Sequence, residues 1–350
     1  MITIDGSHGE GGGQILRTAI SLSTITGKPV EVVGIRAKRP NPGIRPQHMA
    51  AIKIIADLFH ARVENLDVGK EWIRFVPTDK FEGGSVKIDV GTAGSIPLIL
   101  LTVMPAVSLS NNSLSIELIG GTDVKTSPTT DYVRHIVANA YRSIGIKFSI
   151  EVQKRGYYPK GGGIVQAIIE SCKTPGTVDL LNSREGLEPK IMSVSSRLPK
   201  HVAERQTASA IVALEKKGIR CKEYTAALET SLSPGSSILV YAVSDFGPFI
   251  GGDSIGEPGK RAESVGTESA NRFLESSFGY ADVDQFLADM LVIPLALAKG
   301  RSKYKVARVT EHLRTNLHVA SLITGCKYAI AQDDINNKNS NNGYVVTIEN

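Results

Sequence analysis

Apolar residues recur at helical spacing through Ile15, Leu16, Ala19, Ile20 and Leu22, and Gly27 closes the pattern ahead of a short apolar run at 30–33. A period near 3.6 predicts an amphipathic helix, and a short apolar run bounded by turn residues predicts a strand. Ile2 and Ile4 alternate with polar positions before that helix, so the chain opens as strand, helix, strand. A second helix follows, with Met49, Ile52, Ile55, Ala56 and Phe59 on its apolar face, and then strand candidates at 72–76 and 86–90. The same order returns from Ala93: an apolar helix interrupted at Pro97 and Pro105, a strand at 114–119, a helix at 131–145, and strands at 148–152 and 164–169. The residues of the two stretches hardly match, yet a β-α-β-α-β-β unit is used at least twice.

The pattern changes near Arg184. A strand at 191–195, a long helix at 201–217, strands at 221–224 and 237–243 and a helix after Gly259 suffice for a small α/β domain, bounded by polar Gly/Pro loops. The predicted organisation is an α/β protein with a large repeat-built domain, 1–183 and 279–350, and an inserted small domain, 184–278. Beyond 279 come a helix at 283–298, a strand at 305–309, another helix and a hairpin with arms at 328–331 and 344–348. The Asn-rich stretch at 336–343 between those arms is expected to be mobile.

Composition narrows the classes. The 350 residues are 41% hydrophobic and carry a formal net charge of +5, which permits a polyanionic partner without requiring one. The longest nearly apolar stretch, 96–107, falls well short of the ~20 residues that span a bilayer, and the N-terminus lacks the pattern of a signal peptide. Cys172, Cys221 and Cys326 are scattered, odd in number and form no CxxC pair. A cytoplasmic protein without a membrane helix or zinc ribbon is expected.

Candidate chemistry begins at "HGEGGGQILR", residues 8–17, between the first strand and the first helix. A Walker A loop needs a Ser or Thr after Gly-Lys, but here the Gly-Lys pairs precede Pro29, Glu71 and Arg261, and the Rossmann glycine spacing is also absent. The loop reads either as a turn into a helix or as a phosphate site in which a divalent cation joins Glu10 to phosphate. Arg17, then Arg36, Lys38, Arg39, Arg45 and His48, form a basic group that is either solvated surface or a set of guanidinium forks for phosphate oxygens. His312, in "VTEHLRTN", lies between a predicted strand and a helix, where sites collect in α/β folds; an imidazole lone pair can attack phosphorus. Asp289, in "FLADMLVIP", is an acid within an apolar helix and requires a partner or a ligand. "GTAGS", "GGTDVKTSP" and "GYYPKGGG" read as readily as turns as they do as site loops.

In order, "DGSHGEGGGQILR", "RPNPGIRPQH", "GTAGS", "GGTD", "GYYPKGGG", "FLADMLVIPLALA" and "EHLRTN" resemble the RNA 3′-terminal phosphate cyclases over residues 4–316. The resemblance implies repeated units similar to the C-terminal domain of translation initiation factor three. It also implies an ATP-consuming reaction. A histidine takes AMP with loss of pyrophosphate, AMP passes to an RNA 3′-phosphate, and the neighbouring 2′-hydroxyl closes a 2′,3′-cyclic phosphate and releases AMP. The family's adenylated histidine falls on His312, and its metal-associated carboxylate on Glu10, with Mg or Mn as the expected ion. Arg17, Arg36 and Arg39 match positions that engage the RNA end or nucleotide phosphates, joined by Gln14 and His48. Phe286, Leu287, Ala288, Asp289 and Met290 match the nucleotide-lining segment, and Pro128 the adenine side. Bacterial members carry glutamines where this chain has Leu101 and Met290, two positions associated with ATP, so the choice between ATP and GTP stays open.

Two other readings remain. A non-catalytic branch of the family acts in ribosome assembly, but it lacks the histidine found here at 312. A sugar-phosphate or enolpyruvyl transferase would share the repeats and basic sites while forming no covalent nucleotide. A lysine-adenylating ligase would need a KxDG motif, and the nearest string is Thr3-Ile4-Asp5-Gly6.

Overall fold

The N-terminal alternation becomes β1 (Ile2–Asp5), parallel to β2 (Val30–Val33), with α1 (Gly13–Thr26) between them. The chain is seen in a computed structural model that describes all residues except 79, 182–186, 246, 279–280 and 334–342. Gly27 ends α1 in the left-handed conformation, φ 70°, where a side chain would be strained. α2 (Pro46–Leu58) leads to β3 (Arg62–Glu64) and β4 (Ile73–Val76), giving the sheet order β1-β2-β4-β3. β3 escapes a periodicity reading because Val63 is its one apolar residue; pairing with β4 specifies it.

The second unit repeats this topology. β5 (Gly84–Asp89), α3 (Ile96–Ser108) and β6 (Leu114–Gly120) precede α4 (Thr130–Tyr132), which continues through a π-helical turn (Val133–Val137) into α5 (Ala138–Ser143). β7 (Phe148–Lys154) and β8 (Gly163–Ile169) complete the sheet β5-β6-β8-β7, again with one parallel pair and two antiparallel pairs. The expected interruption of α3 does not occur. Pro97 lies in the first turn, where no N–H is needed, and Pro105 in the last, so the helix continues past both.

After the two-residue β9 (Asp179–Leu180) come β10 (Lys190–Ser196), α6 (His201–Glu215), β11 (Glu223–Leu228), β12 (Gly235–Val243), β13 (Phe249–Ile255) and α7 (Ala262–Phe278). The chain ends with α8 (Gln285–Met290), α9 (Val292–Leu295), β14 (Arg301–Val306), α10 (Glu311–Thr324), β15 (Lys327–Gln332) and β16 (Tyr344–Glu349). β9 pairs in parallel with β14, and β16 lies between β14 and β15, so a third sheet shows the same pattern, built from strands more than a hundred residues apart. β11-β10-β12-β13 forms a separate four-stranded sheet with its own core, including Ile191, Leu214, Ile238, Val240 and Phe273 beneath α6 and α7.

Several boundaries differ from the sequence reading. The helix expected at 283–298 is two short helices. The strand expected at 305–309 ends at Val306, where pairing with β16 stops, so His312 is the second residue of α10 and does not directly follow a strand. The strand at 221–224 is displaced to β11. β13 is missed because its Gly-Gly pair looks like a turn. A Cβ on Gly252 would lie 2.5 Å from the Phe273 nitrogen, so glycine is what lets α7 pack against the strand. The Asn-rich stretch and both proposed domain boundaries, 184 and 279, touch residues outside those described.

Arg155, 1% exposed, ties the second sheet to the segment after β11. It pairs with Asp123 at 3.3 Å, Asp131 at 2.8 Å and Glu229 at 2.8 Å, and its N–H donates to the Thr230 carbonyl. No helix among the described residues is long and apolar enough to cross a membrane.

Candidate active site

The glycine run turns the chain from β1 into α1 and does so for two distinct reasons. Gly9 and Gly11 both have φ of +56°, which favours glycine. Gly13 is required for space: a Cβ there would fall on His48 Nε2 and lie 2.6 Å from Cε1. His48 is 2% exposed and accepts the Arg45 N–H at Nδ1, 3.2 Å away. Burial, with Arg17, Arg36 and Arg45 nearby, pushes its pKa down to about 3, so the ring is neutral and serves as a spacer between α2 and the loop.

Glu10, at the turn of the run, meets two partners on one oxygen. Its Oε2 accepts from Arg39 Nη2 at 2.8 Å and lies 3.0 Å from His312 Nε2. The other ring nitrogen, Nδ1, faces Asp289 Oδ2 at 4.0 Å, too long for a hydrogen bond. Asp289 in turn accepts from Thr310 Oγ1, the N-cap of α10, at 3.1 Å, and burial drives its pKa well above the usual carboxylate range. The imidazole is therefore bracketed by two acids from opposite ends of the chain. His312 itself is 39% exposed at the side chain, open to a ligand.

Asn316, four residues after His312, holds this arrangement. Asn316 accepts from Thr18 Oγ1 of α1 at 2.8 Å and donates to the Asp289 carbonyl at 3.2 Å, joining three helices beneath the site. Arg17 donates to Gln14 Oε1 at 2.7 Å; burial and the charge of Arg36 pull its pKa down to about 10, so it remains cationic at neutral pH.

His312 opens onto a cavity of about 830 Å³. Of the residues singled out in the sequence, Glu10, Gln14, Arg17, Leu101, Pro128, Phe286, Asp289, Met290 and His312 line it. Leu287 and Ala288, each 0% exposed, instead face the core from the inner side of α8. Arg39 reaches the site through Glu10, His48 supports it through Gly13, and Arg36 stands beside Arg17 and donates to the Asn41 carbonyl. The far wall is formed by Asp253 and Ser254 of β13, Lys260 of the loop before α7 and Arg272 of α7, with Lys125 of the "GGTDVKTSP" loop paired to Glu257 at 2.9 Å. Tyr132, whose hydroxyl donates to Asp284, the N-cap of α8, also lines the cavity. Apart from Lys125, these residues carry no local motif; only their convergence marks them.

Among the described residues, no three His, Cys, Asp or Glu side chains converge as a metal-binding group, and the Glu10 oxygen facing the site is already shared by Arg39 and His312. A resident divalent cation held by side chains alone does not fit this donor set.

The model of the family described as RNA 3′-terminal phosphate cyclase matches residues 8–330. A protein of that name from Pyrococcus furiosus is 42% identical over 325 residues, covering 93% of this chain and 94% of its own length. One from Pyrobaculum aerophilum is 42% identical over 330 residues, and one from Pyrococcus abyssi 43% over 328, each covering 94% of its own length. With the family model spanning nearly the whole chain and full-length relatives at this identity, the chain belongs to the RNA 3′-terminal phosphate cyclase family.

Proposed function

We propose that this protein converts an RNA 3′-terminal phosphate to a 2′,3′-cyclic phosphate at the expense of ATP, through an adenylate on His312. The observation that carries the proposal is the placement of His312: an accessible imidazole, bracketed by Glu10 and Asp289, at the wall of a cavity that also presents Arg17. A phosphate monoester dianion has no good leaving group, and activation with AMP supplies one.

In the first step Nε2 of His312 attacks the α-phosphorus of ATP, a P–N bond forms and pyrophosphate leaves. Attack requires the contact between Nε2 and Glu10 to be given up, and Arg39, the other partner of the same oxygen, can retain the carboxylate. The ring proton then resides on Nδ1, facing Asp289. In the second step an oxygen of the RNA 3′-phosphate attacks the same phosphorus and displaces the imidazole. In the third the 2′-hydroxyl attacks the RNA phosphorus, closes the ring and releases AMP. Leaving and entering groups lie in line at phosphorus, so pyrophosphate and the RNA phosphate use the space beyond Nε2 in turn. Arg17, which lines the cavity, and Arg39, which pairs with Glu10, are assigned to offset the accumulating charge. A divalent cation, Mg or Mn, enters with the nucleotide as part of the substrate. Phe286 and Pro128 are assigned to the faces of the base, with Leu101 and Met290 at its edge.

The repeat topology supports a large domain of 1–183 and 279–350, similar to the C-terminal domain of initiation factor three, and an inserted domain of 184–278 that supplies the far wall. The test is to incubate the protein with α-labelled ATP and Mg. Acid-labile, alkali-stable label is expected on the protein, absent in His312→Ala, and transferable to RNA ending in 3′-phosphate but not in 3′-hydroxyl. A wild-type protein that takes no label would overturn the proposal, and label persisting in His312→Ala would overturn the choice of nucleophile.

A further inference from the structure

Leu98 and Leu101 of α3, Met290 of α8 and Ile293 of α9 give the cavity an apolar stretch of wall, called here the slot. Tyr141 of α5 borders the same slot, and it stands apart from these four as a hydroxyl-bearing side chain. It is 1% exposed, its ring packs edge-on against Phe148 with centroids 5.7 Å apart, and its hydroxyl donates to the Met290 carbonyl at 2.9 Å. A phenol has one proton to give. With that proton directed at the α8 backbone, the oxygen can present only lone pairs to anything that enters the slot.

We infer that Tyr141 is a specificity-determining residue that selects a 6-amino purine over a 6-oxo purine. The inference rests on the proposed use of the cavity as the nucleotide site. A fixed acceptor pairs with the amino group of adenine, whereas the carbonyl oxygen of hypoxanthine or guanine would meet it lone pair to lone pair and leave two buried acceptors unpaired. The apolar walls cannot make this distinction, because both bases have similar shape and similar π-faces. Discrimination at this wall is assigned to the oriented Tyr141 hydroxyl. Burial pushes the Tyr141 phenol up, so it stays protonated and its proton stays on the Met290 carbonyl across the working pH range.

The test compares three α-labelled nucleotides in the self-labelling reaction of the full chain: ATP, ITP, and purine riboside triphosphate, which has hydrogen at position six. The expected order of kcat/KM is ATP, then purine riboside triphosphate, then ITP, with ATP favoured over ITP by about tenfold or more. In Tyr141→Phe the gap between ATP and ITP closes to within about threefold because the efficiency with ATP falls. A uniform loss with all three nucleotides in Tyr141→Phe would mean that Tyr141 only supports packing, and would overturn the inference. If that variant fails to fold, the wild-type order decides: ITP used as well as or better than purine riboside triphosphate refutes an acceptor in the slot. Absence of label from every nucleotide would instead overturn the cyclase reading beneath it.

Discussion

Replacing Gly13 by alanine should disrupt the site without touching any residue that performs chemistry. The added methyl would fall on Nε2 of His48, 2.6 Å from Cε1 and 3.0 Å from Cδ2, where ordinary carbon contacts begin near 3.4 Å. The imidazole cannot yield easily: it is 2% exposed and pinned by the Arg45 N–H. Either the start of α1 shifts by about 1 Å, carrying Gln14 and Arg17 with it, or His48 leaves and its bond to Arg45 is lost. Overpacking typically costs about 1–3 kcal/mol, and a lost buried hydrogen bond about 1 kcal/mol more. The expected loss is therefore about 2–4 kcal/mol. Urea unfolding followed by circular dichroism measures it, and His48→Ala with the double variant completes a thermodynamic cycle. Because the clash needs both partners, the double variant should recover about 1 kcal/mol or more relative to additivity. A Gly13→Ala protein within about 0.5 kcal/mol of wild type, or additive costs in the double variant, would refute the reading of Gly13 as a seat for the imidazole.

Two further outcomes follow from the same residues. His48 is held at a pKa of about 3 in the folded protein, below the ~6.5 of an unfolded histidine, so the unfolded chain takes up the proton first as pH falls. Its contribution to stability is present above about pH 6.5 and is lost progressively toward pH 3; between pH 7 and 5 the loss is about 2 kcal/mol. His48→Gln should flatten the stability profile by that amount over those two units, and an unchanged slope would show that the ring is not buried neutral. Glu10→Ala removes a half-exposed pair, at 36% and 41% side-chain exposure, so it should cost under about 1 kcal/mol in urea unfolding. Self-labelling with ATP should nevertheless fall by about tenfold or more, and a labelling loss no greater than the loss of folded protein would sink the assignment of Glu10 to the site.

The sequence by itself determined whatever depends on near neighbours in the chain. The helical period of α1, its stop at Gly27, the strands on either side and the recurrence of one β-α-β-α-β-β order all follow from local pattern and turn chemistry. Glu10 and Asp289 stand out as candidates because their chemistry is unusual where it stands, a carboxylate in a glycine loop and an acid in an apolar helix, whereas Arg17 and His312 gain their proposed roles from the family resemblance. Tertiary structure decided the rest, because the physical causes lie far away in sequence. Gly13 is glycine on account of a ring 35 positions later. Helix phase, set by what α8 packs against, turns Phe286, Asp289 and Met290 to the cavity and Leu287 and Ala288 to the core, although all five belong to one motif. β9 has two residues and no pattern of its own, and exists as a strand because β14 offers it hydrogen bonds across more than a hundred residues. The far wall around β13 and α7 and the Tyr141 side chain line the same cavity as His312 only because the folded chain brings these distant segments together. Local propensity acts over a few residues, and the convergence of distant side chains is fixed only when the whole core closes.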